Sequence, residues 1–553
     1  MIIDIFLLLI GIGAASALYS GERFSKFLSL LLAFVVAGIC LKLYQNWQLG
    51  YTDNFTYDWV KSRYYPVKIN MFSNAAHYML MLPFFVMAAV ILLFNTFLPA
   101  EEKRLRLSGL VCFNLSALTL LICSENAIQL LVSACIIDIF GFYAINDSRV
   151  RRKYIFYNLL ANMGLFMLFA LLWGYIHTIR LERFSLYAAR GEHKDLVCIL
   201  LLLCLFVKSG LFGFHTPQQE WRMLGMNRIM LLSYLSTPIA GIIILSKTAM
   251  LLPLSGYSLP LLHIFGIASM AWGLFGALFI DELRRKAIYF NMILYGLIYY
   301  LLSQGFSLQE PAFAWLIVSG FLLNGCWLLV FIGASNENNV SAMGGFISGL
   351  KLTLGVTLIV TAAYMQAMLH LYPAYPVAAL GGGIALLIGE TSLLYQIYLG
   401  KSHADERVQA LLHNPGIVFG GTIAALAAAI IWQNGALSPY LLWTYGLFVI
   451  LFVTGIFRFA NKAYRYKFIQ KTDLFSTAYH LFIVGPIKVL GRVLWLTVDF
   501  LIIERTVINS LHKMLMILIN IFQRLHTDSR WAYVFFFLAG GVLAGICWKW
   551  GGK

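Results

Sequence analysis

The chain has 553 residues, of which 61% are hydrophobic and 12% charged, with a mean hydropathy of +0.80. An ordinary soluble domain carries roughly 25% charged residues, so the polar surface here is too small to wrap a globule of this size, and disordered, fibrous and disulfide-rich secreted chains are excluded as well. The net charge of +16 is spread over short loops between apolar segments, not gathered in a patch, which excludes nucleic acid as a partner and marks the Lys and Arg residues as topology determinants. The composition is that of an all-α polytopic membrane protein.

Apolar stretches of membrane-crossing length are predicted at 2–19, 25–43, 72–97, 107–123, 126–146 and 155–176, then at 195–214, 229–250, 260–280, 287–303, 311–333 and 347–370, and finally at 377–398, 415–433, 440–460 and 531–549. That makes about sixteen spans of ~20 residues. The first has no basic flank, Asp4 being its only charge, and reads as a span instead of a cleaved leader. The expected organisation is N-terminal helices over 1–100, a transmembrane core over 101–400, further helices over 401–470, an amphipathic segment over 471–530 and a last span over 531–553.

Loop charge orients these spans. Arg23 and Lys26, Lys103 to Arg106, Arg149 to Lys153, Arg222 and Arg228, Arg284 to Lys286, Lys401 and Arg407, and Lys462 to Lys471 all fall after odd-numbered spans. The positive-inside rule then places these loops in the cytoplasm and the N-terminus outside. Residues 473–527 differ from the spans. Asp499, Arg505, Asn509, His512, Lys513, Asn520 and Arg524 recur at helical steps between Leu, Ile, Val and Phe, a polar stripe along an amphipathic helix. About 50 residues at 1.5 Å each would be ~75 Å long, too long to cross a bilayer, so the segment is expected to lie along the cytoplasmic surface. A break near Gly485 and Pro486 into two shorter helices is the alternative.

The 8 cysteines form no CxxC pair and lie mostly in apolar runs, and there is no GxGxxG after a strand, no GxxxxGK[ST] and no HExxH. No cofactor and no metal site is expected, and any electron transfer would belong to other subunits.

Ionisable residues inside spans are costly, and mark functional positions. Lys208 ends the apolar run from Leu196 and precedes Ser209, Gly210, Gly213 and Pro217, residues that would break the helix at membrane depth, as in ion paths. The plainer reading is a lysine reaching out from a helix that ends early. Asp138 stands amid apolar residues and needs a cationic partner, for which Lys208 is the nearest by type, or else makes a structural hydrogen bond. His215, seven residues after Lys208, could relay protons or simply sit at a helix end. Glu125, Asp281 and Glu390 fall at span ends, His77 and His263 read as satisfied interior histidines, and the glycine runs at 381–383 and 420–421 read as packing.

Ser124-Glu125-Asn126-Ala127, the stretch Lys208 to Thr216, Asp281 to Lys286, Met343-Gly344-Gly345-Phe346 and Thr391-Ser392-Leu393 resemble, in this order, motifs of the antiporter-like membrane subunits of respiratory complex I and of the Mrp cation/proton antiporters. The tail from Asp499 to Tyr533 resembles the lateral helix and last span of the largest such subunit, the L type. The resemblance implies inverted five-helix repeats, each with a broken helix, and a mid-membrane file of lysines and a glutamate. It further implies an inner (plasma) membrane location, other membrane subunits as partners, and proton movement driven by quinone reduction elsewhere in an NADH-quinone oxidoreductase-like assembly.

The match is partial. Lys208 coincides with the broken-helix lysine, but the expected glutamate falls on Cys135, an acidic position on Asn162, a histidine on Ser233 and a second-half lysine on Leu323. Either Asp138, one turn beyond Cys135, replaces the glutamate and pairs with Lys208, or the channel is dead and the chain is a scaffold. An energy-coupling subunit of a stand-alone antiporter or of a bicarbonate-uptake complex is a further possibility.

Overall fold

The computed structural model describes residues 2–18, 25–60, 67–97, 104–187, 193–333 and 351–371, with short pieces within 374–383 and 488–520. The chain divides into two units, Met1–Gln470 and Lys471–Lys553. The predicted spans from 377 onward and the amphipathic segment over 473–527 lie outside the described residues, apart from isolated helical turns such as 513–517.

The first unit is a helical bundle. In order come α1 (Ile2–Leu18), α2 (Ser25–Gln48), α3 (Ala75–Phe97), α4 (Arg104–Ile122), α5 (Ala127–Ala144), α6 (Ser148–Ile176), α7 (Lys194–Ser209) and the single turn α8 (Thr216–Gln219). They are followed by α9 (Met226–Tyr234), α10 (Thr237–Thr248), α11 (Ser258–Phe279), α12 (Leu283–Ser303), α13 (Pro311–Gly333) and α14 (Lys351–Leu371). Among the described residues six helical stretches are long and apolar enough to cross a membrane, and four shorter apolar helices accompany them.

The departures from the expected elements have local causes. The gap between α2 and α3 holds an antiparallel hairpin, β1 (Asp53–Val60) and β2 (Val67–Ser73), in register from Asp53 opposite Ser73. Its Phe55, Tyr57 and Trp59 alternate with Asn54, Thr56 and Asp58, the two-residue period of a strand. α6 begins seven residues before the predicted span because Asp147 caps it, its Oδ1 accepting from the Arg149 and Val150 backbone N–H groups at 2.7 and 3.1 Å. These N–H groups, Val150 first, hold the Asp147 carboxyl below the usual carboxylate range. At 29 residues and 1.5 Å each, α6 is about 44 Å long and carries its basic first turns beyond the hydrocarbon.

The hairpin sits at one end of the bundle, where Phe72 N–H donates to the Cys123 carbonyl and the Ile2 N–H to Asp53 Oδ2. The basic links gather at the other end: Arg151 and Arg228 donate to the Ile145 and Ala144 carbonyls, and Arg222 lies 3.4 Å from Glu282. α10 runs through the middle with Ile239 to Leu245 fully enclosed, and α12 is buried from Ala287 to Leu301. α11 packs tightly on α12: a Cβ on Gly266 would stand 2.9 Å from the Gly296 carbonyl oxygen, so only glycine lets the backbones approach. Large apolar side chains, Phe27, Phe34, Phe156, Met163, Phe166 and Ile264 among them, face outward. That is the surface of a chain whose solvent is lipid.

Candidate functional site

α7 ends abruptly inside the bundle, at the buried Lys208 and Ser209. Gly210 adopts φ +61°, the Gly210 N–H donates to the Val207 carbonyl and the Leu211 N–H to that of Phe206, the paired bonds of a left-handed C-terminal cap. A Cβ on Gly210 would lie 2.1 Å from the Gln218 amide, whose Nε2 donates to the freed Ser209 carbonyl at 3.0 Å. Ser209 Oγ and the Tyr299 hydroxyl are 2.6 Å apart, and the Phe212 N–H donates to Ser269 Oγ. Side chains from α8, α11 and α12 thus take over the polar groups that the break exposes, the condition for an interrupted helix in a membrane.

Lys208 stands in the last turn of α7 with its side chain wholly buried, and Nζ lies 2.8 and 3.1 Å from the Asp138 carboxylate oxygens on α5. Asn162 of α6 donates to Asp138 Oδ2 at 2.6 Å. Asp138 is thereby held by three helices: α5 carries it, α7 neutralises it and α6 orients it. Towards the basic end, the Tyr154 hydroxyl packs where a Cβ on Gly141 would be and lies 3.4 Å from Ser236 Oγ. Glycine one turn beyond Asp138 makes room for that hydroxyl.

The structure brings Asp138 and Lys208 together. His215 lies past the break, buried, where its Nε2 accepts from the Trp272 indole N–H at 3.1 Å. An indole N–H only donates, so Nε2 keeps its lone pair and is occupied. Because α7 stops at Ser209, His215 does not continue the Lys208 face. Glu125 and Asp281 lie between helices, at the α4–α5 and α11–α12 links, and Glu390 lies outside the described residues. Lys286, assigned to a loop from the sequence, is fully buried in the first turn of α12. His263 Nδ1 accepts from Gln304 Nε2 at 2.9 Å, whereas His77 is only partly buried and meets Lys247, a contact with no sequence signature.

Where the resemblance implies a histidine and a second-half lysine, the structure places a neutral cluster. The Tyr234 hydroxyl and Asn324 Nδ2 both donate to Asn291 Oδ1 at 2.6 Å. Asn291 Nδ2 donates to Ser233 Oγ at 3.0 Å, and Tyr295 donates to the Ser233 carbonyl at 2.6 Å. Leu323 is buried beside it. Among the described residues no group of His, Cys, Asp and Glu side chains could hold a metal ion.

No protein-family profile and no curated protein sequence matches the chain. Among solved structures it is similar to a chain of the Mrp complex from Dietzia sp. DQ12-45-1b, with a TM-score of 0.65 at 15% identity over 98% of this chain. The match spans 66% of that chain's length. At this identity the likeness establishes the fold: the protein is an all-α, multi-pass membrane protein built like a large part of that Mrp chain.

Proposed function

We propose that the protein is an antiporter-like subunit that moves protons, or monovalent cations in exchange for them, across a membrane, and that the Asp138–Lys208 pair is its switch. The observation that carries this reading is a buried ion pair at the end of a broken helix, joined by an amide from a third helix. Two unit charges about 4 Å apart attract by roughly 4 kcal/mol at an effective dielectric near 20, and desolvation offsets most of that gain. Separating the pair would take the Lys208 ammonium away from its counter-charge and from the Asn162 amide that orients that carboxylate. Tyr154 and Ser236 make a polar contact beside Gly141, one turn along α5 from Asp138, and Ser209 and Tyr299 line the break.

The fold shared with an Mrp chain and the resemblance of the tail to a lateral helix support work beside other membrane subunits. Within that reading the chain is the L-type subunit of a complex I-like assembly in the inner (plasma) membrane, with its basic end in the cytoplasm and no redox centre of its own. His215 would join the path when Trp272 releases it. The neutral cluster around Asn291 favours a second reading, a scaffold without translocation in its second half.

The test is proton flux in proteoliposomes holding the assembled complex, followed with an entrapped pH dye. Lys208→Ala and Asp138→Asn are each expected to lower flux by 10²-fold or more, the size of a lost proton-transfer group, while native gels show intact assembly. Unchanged flux in both variants favours the scaffold.

A further inference from the structure

Lys247 ends α10 at the hairpin end of the bundle. Its Nζ donates to the Ser124 carbonyl at 3.0 Å and lies 3.5 Å from His77 Nε2 on α3. The imidazole's tautomer follows from its other contacts. Asn74 Oδ1 accepts from the His77 backbone N–H at 3.0 Å, which identifies that atom as the amide oxygen, and it lies 2.8 Å from His77 Nδ1. Nδ1 must therefore carry a hydrogen, so the lone pair of Nε2 points at the lysine. Two groups that both become cations by gaining a proton cannot both be charged at this separation without strong repulsion. With Lys247 charged, the His77 ring is neutral and its Nε2 lone pair faces the ammonium.

Position connects this pair with Lys208. A Cβ on Gly241 of α10 would stand 3.2 Å from the Lys208 Cβ, so the two helices touch at that level. Lys247 lies six residues further along α10, about 9 Å at 1.5 Å per residue, towards the hairpin. Both Lys247 and His77 are partly exposed, unlike Lys208. The titratable groups facing them are Cys123 and Glu125 at the α4–α5 link, the latter 3.4 Å from Asn70 Nδ2, and Phe72 of β2 meets the His77 ring edge-on. On α10 the enclosed apolar residues Ile242 to Leu245 separate Lys247 from the level of Lys208.

We propose that Lys247 and His77 form a proton-exchange port between the Asp138–Lys208 pair and the water at the hairpin end. In its step the Nζ–H bond of the lysinium breaks and an Nε2–H bond forms, so an ammonium and a neutral imidazole become an amine and an imidazolium, with the total charge conserved. The Ser124 carbonyl holds the lysine in line, Asn74 holds the ring, and the imidazolium then delivers the proton outward or returns it. This inference rests on the translocation reading above, and its test separates the two.

The assembled complex in proteoliposomes is measured with Lys208→Ala, Lys247→Arg and His77→Gln. Arginine keeps the charge and the bond to Ser124 but cannot give up its proton. Lys247→Arg and His77→Gln are expected to assemble normally, to cut proton flux at least about tenfold, and to remove its dependence on the pH of the hairpin side. In parallel, ¹⁵N-histidine spectra of the intact protein, with His77 assigned by difference against His77→Gln, are expected to show the Nδ1–H form. The His77 titration should move up by about one pH unit or more in Lys247→Met, since a neighbouring cation has gone. Wild-type flux in Lys247→Arg and His77→Gln, with Lys208→Ala silent, overturns the port and leaves the proposed function standing. An unshifted His77 titration in Lys247→Met also overturns it. A wild type that moves no protons overturns both.

Discussion

Asp138 and Lys208 illustrate why a buried ion pair is a poor stabiliser. Desolvation offsets most of the attraction, yet removing one partner leaves a charge stranded, at a cost of roughly 3–5 kcal/mol. Lys208→Met alone should therefore destabilise the protein by about that much in thermal melts, and adding Asp138→Asn should recover most of the loss. Equal, additive losses from the two substitutions would mean that they do not act as a pair. Gly210→Ala faces a left-handed backbone and the Gln218 amide at once. A loss of 1–2 kcal/mol or more is expected from the conformation alone, with the Lys208 end of α7 displaced and flux reduced together. Asp147 gives a pH signature instead. Its carboxyl is depressed by backbone N–H groups in the folded state, so its contribution is complete above the ordinary carboxylate range near ~4 and is lost as the pH falls below it. Asp147→Asn, which can still cap, should flatten that acid limb of stability, measured as melting temperature between pH 3 and 6.

At the scale of elements, apolar length identifies most of the helices, and the residues that move their ends are short-range caps. Asn126 caps α5 through the Gln129 N–H, and Asp147 starts α6 seven residues early. The break after Lys208 is legible from Gly210, Gly213 and Pro217, because a positive φ and a proline leave a helix few options. What it leaves illegible is the support: nothing local in the sequence announces that Gln218 reaches back to Ser209 or that Tyr299, 90 residues away, meets the same serine. Tyr299→Phe should cost about 1 kcal/mol, the usual net value of one hydrogen bond, and loosen the break as read by hydrogen exchange at Ser209 to Leu211. The hairpin is hidden for a different reason. Its alternation is short and rich in aromatic residues, and a purely compositional reading takes it for a polar gap. Lys247 escapes because a lysine at the end of an apolar run looks like a topology residue. Only tertiary structure places His77 against it.

At the scale of the molecule, the first half holds a buried ion pair, and the second half, as far as it is described, holds the buried Lys286 at the start of α12 and neutral amides and phenols around Asn291. The proposed translocation requires Lys208 to exchange its proton, not merely to hold Asp138. Proton flux through the assembled complex carrying Lys208→Arg separates these roles most directly, since arginine preserves the charge and the pairing but does not deprotonate. Intact assembly with flux reduced to the level of Lys208→Ala is the expected result. Wild-type flux from Lys208→Arg would contradict it and leave the pair a structural clamp.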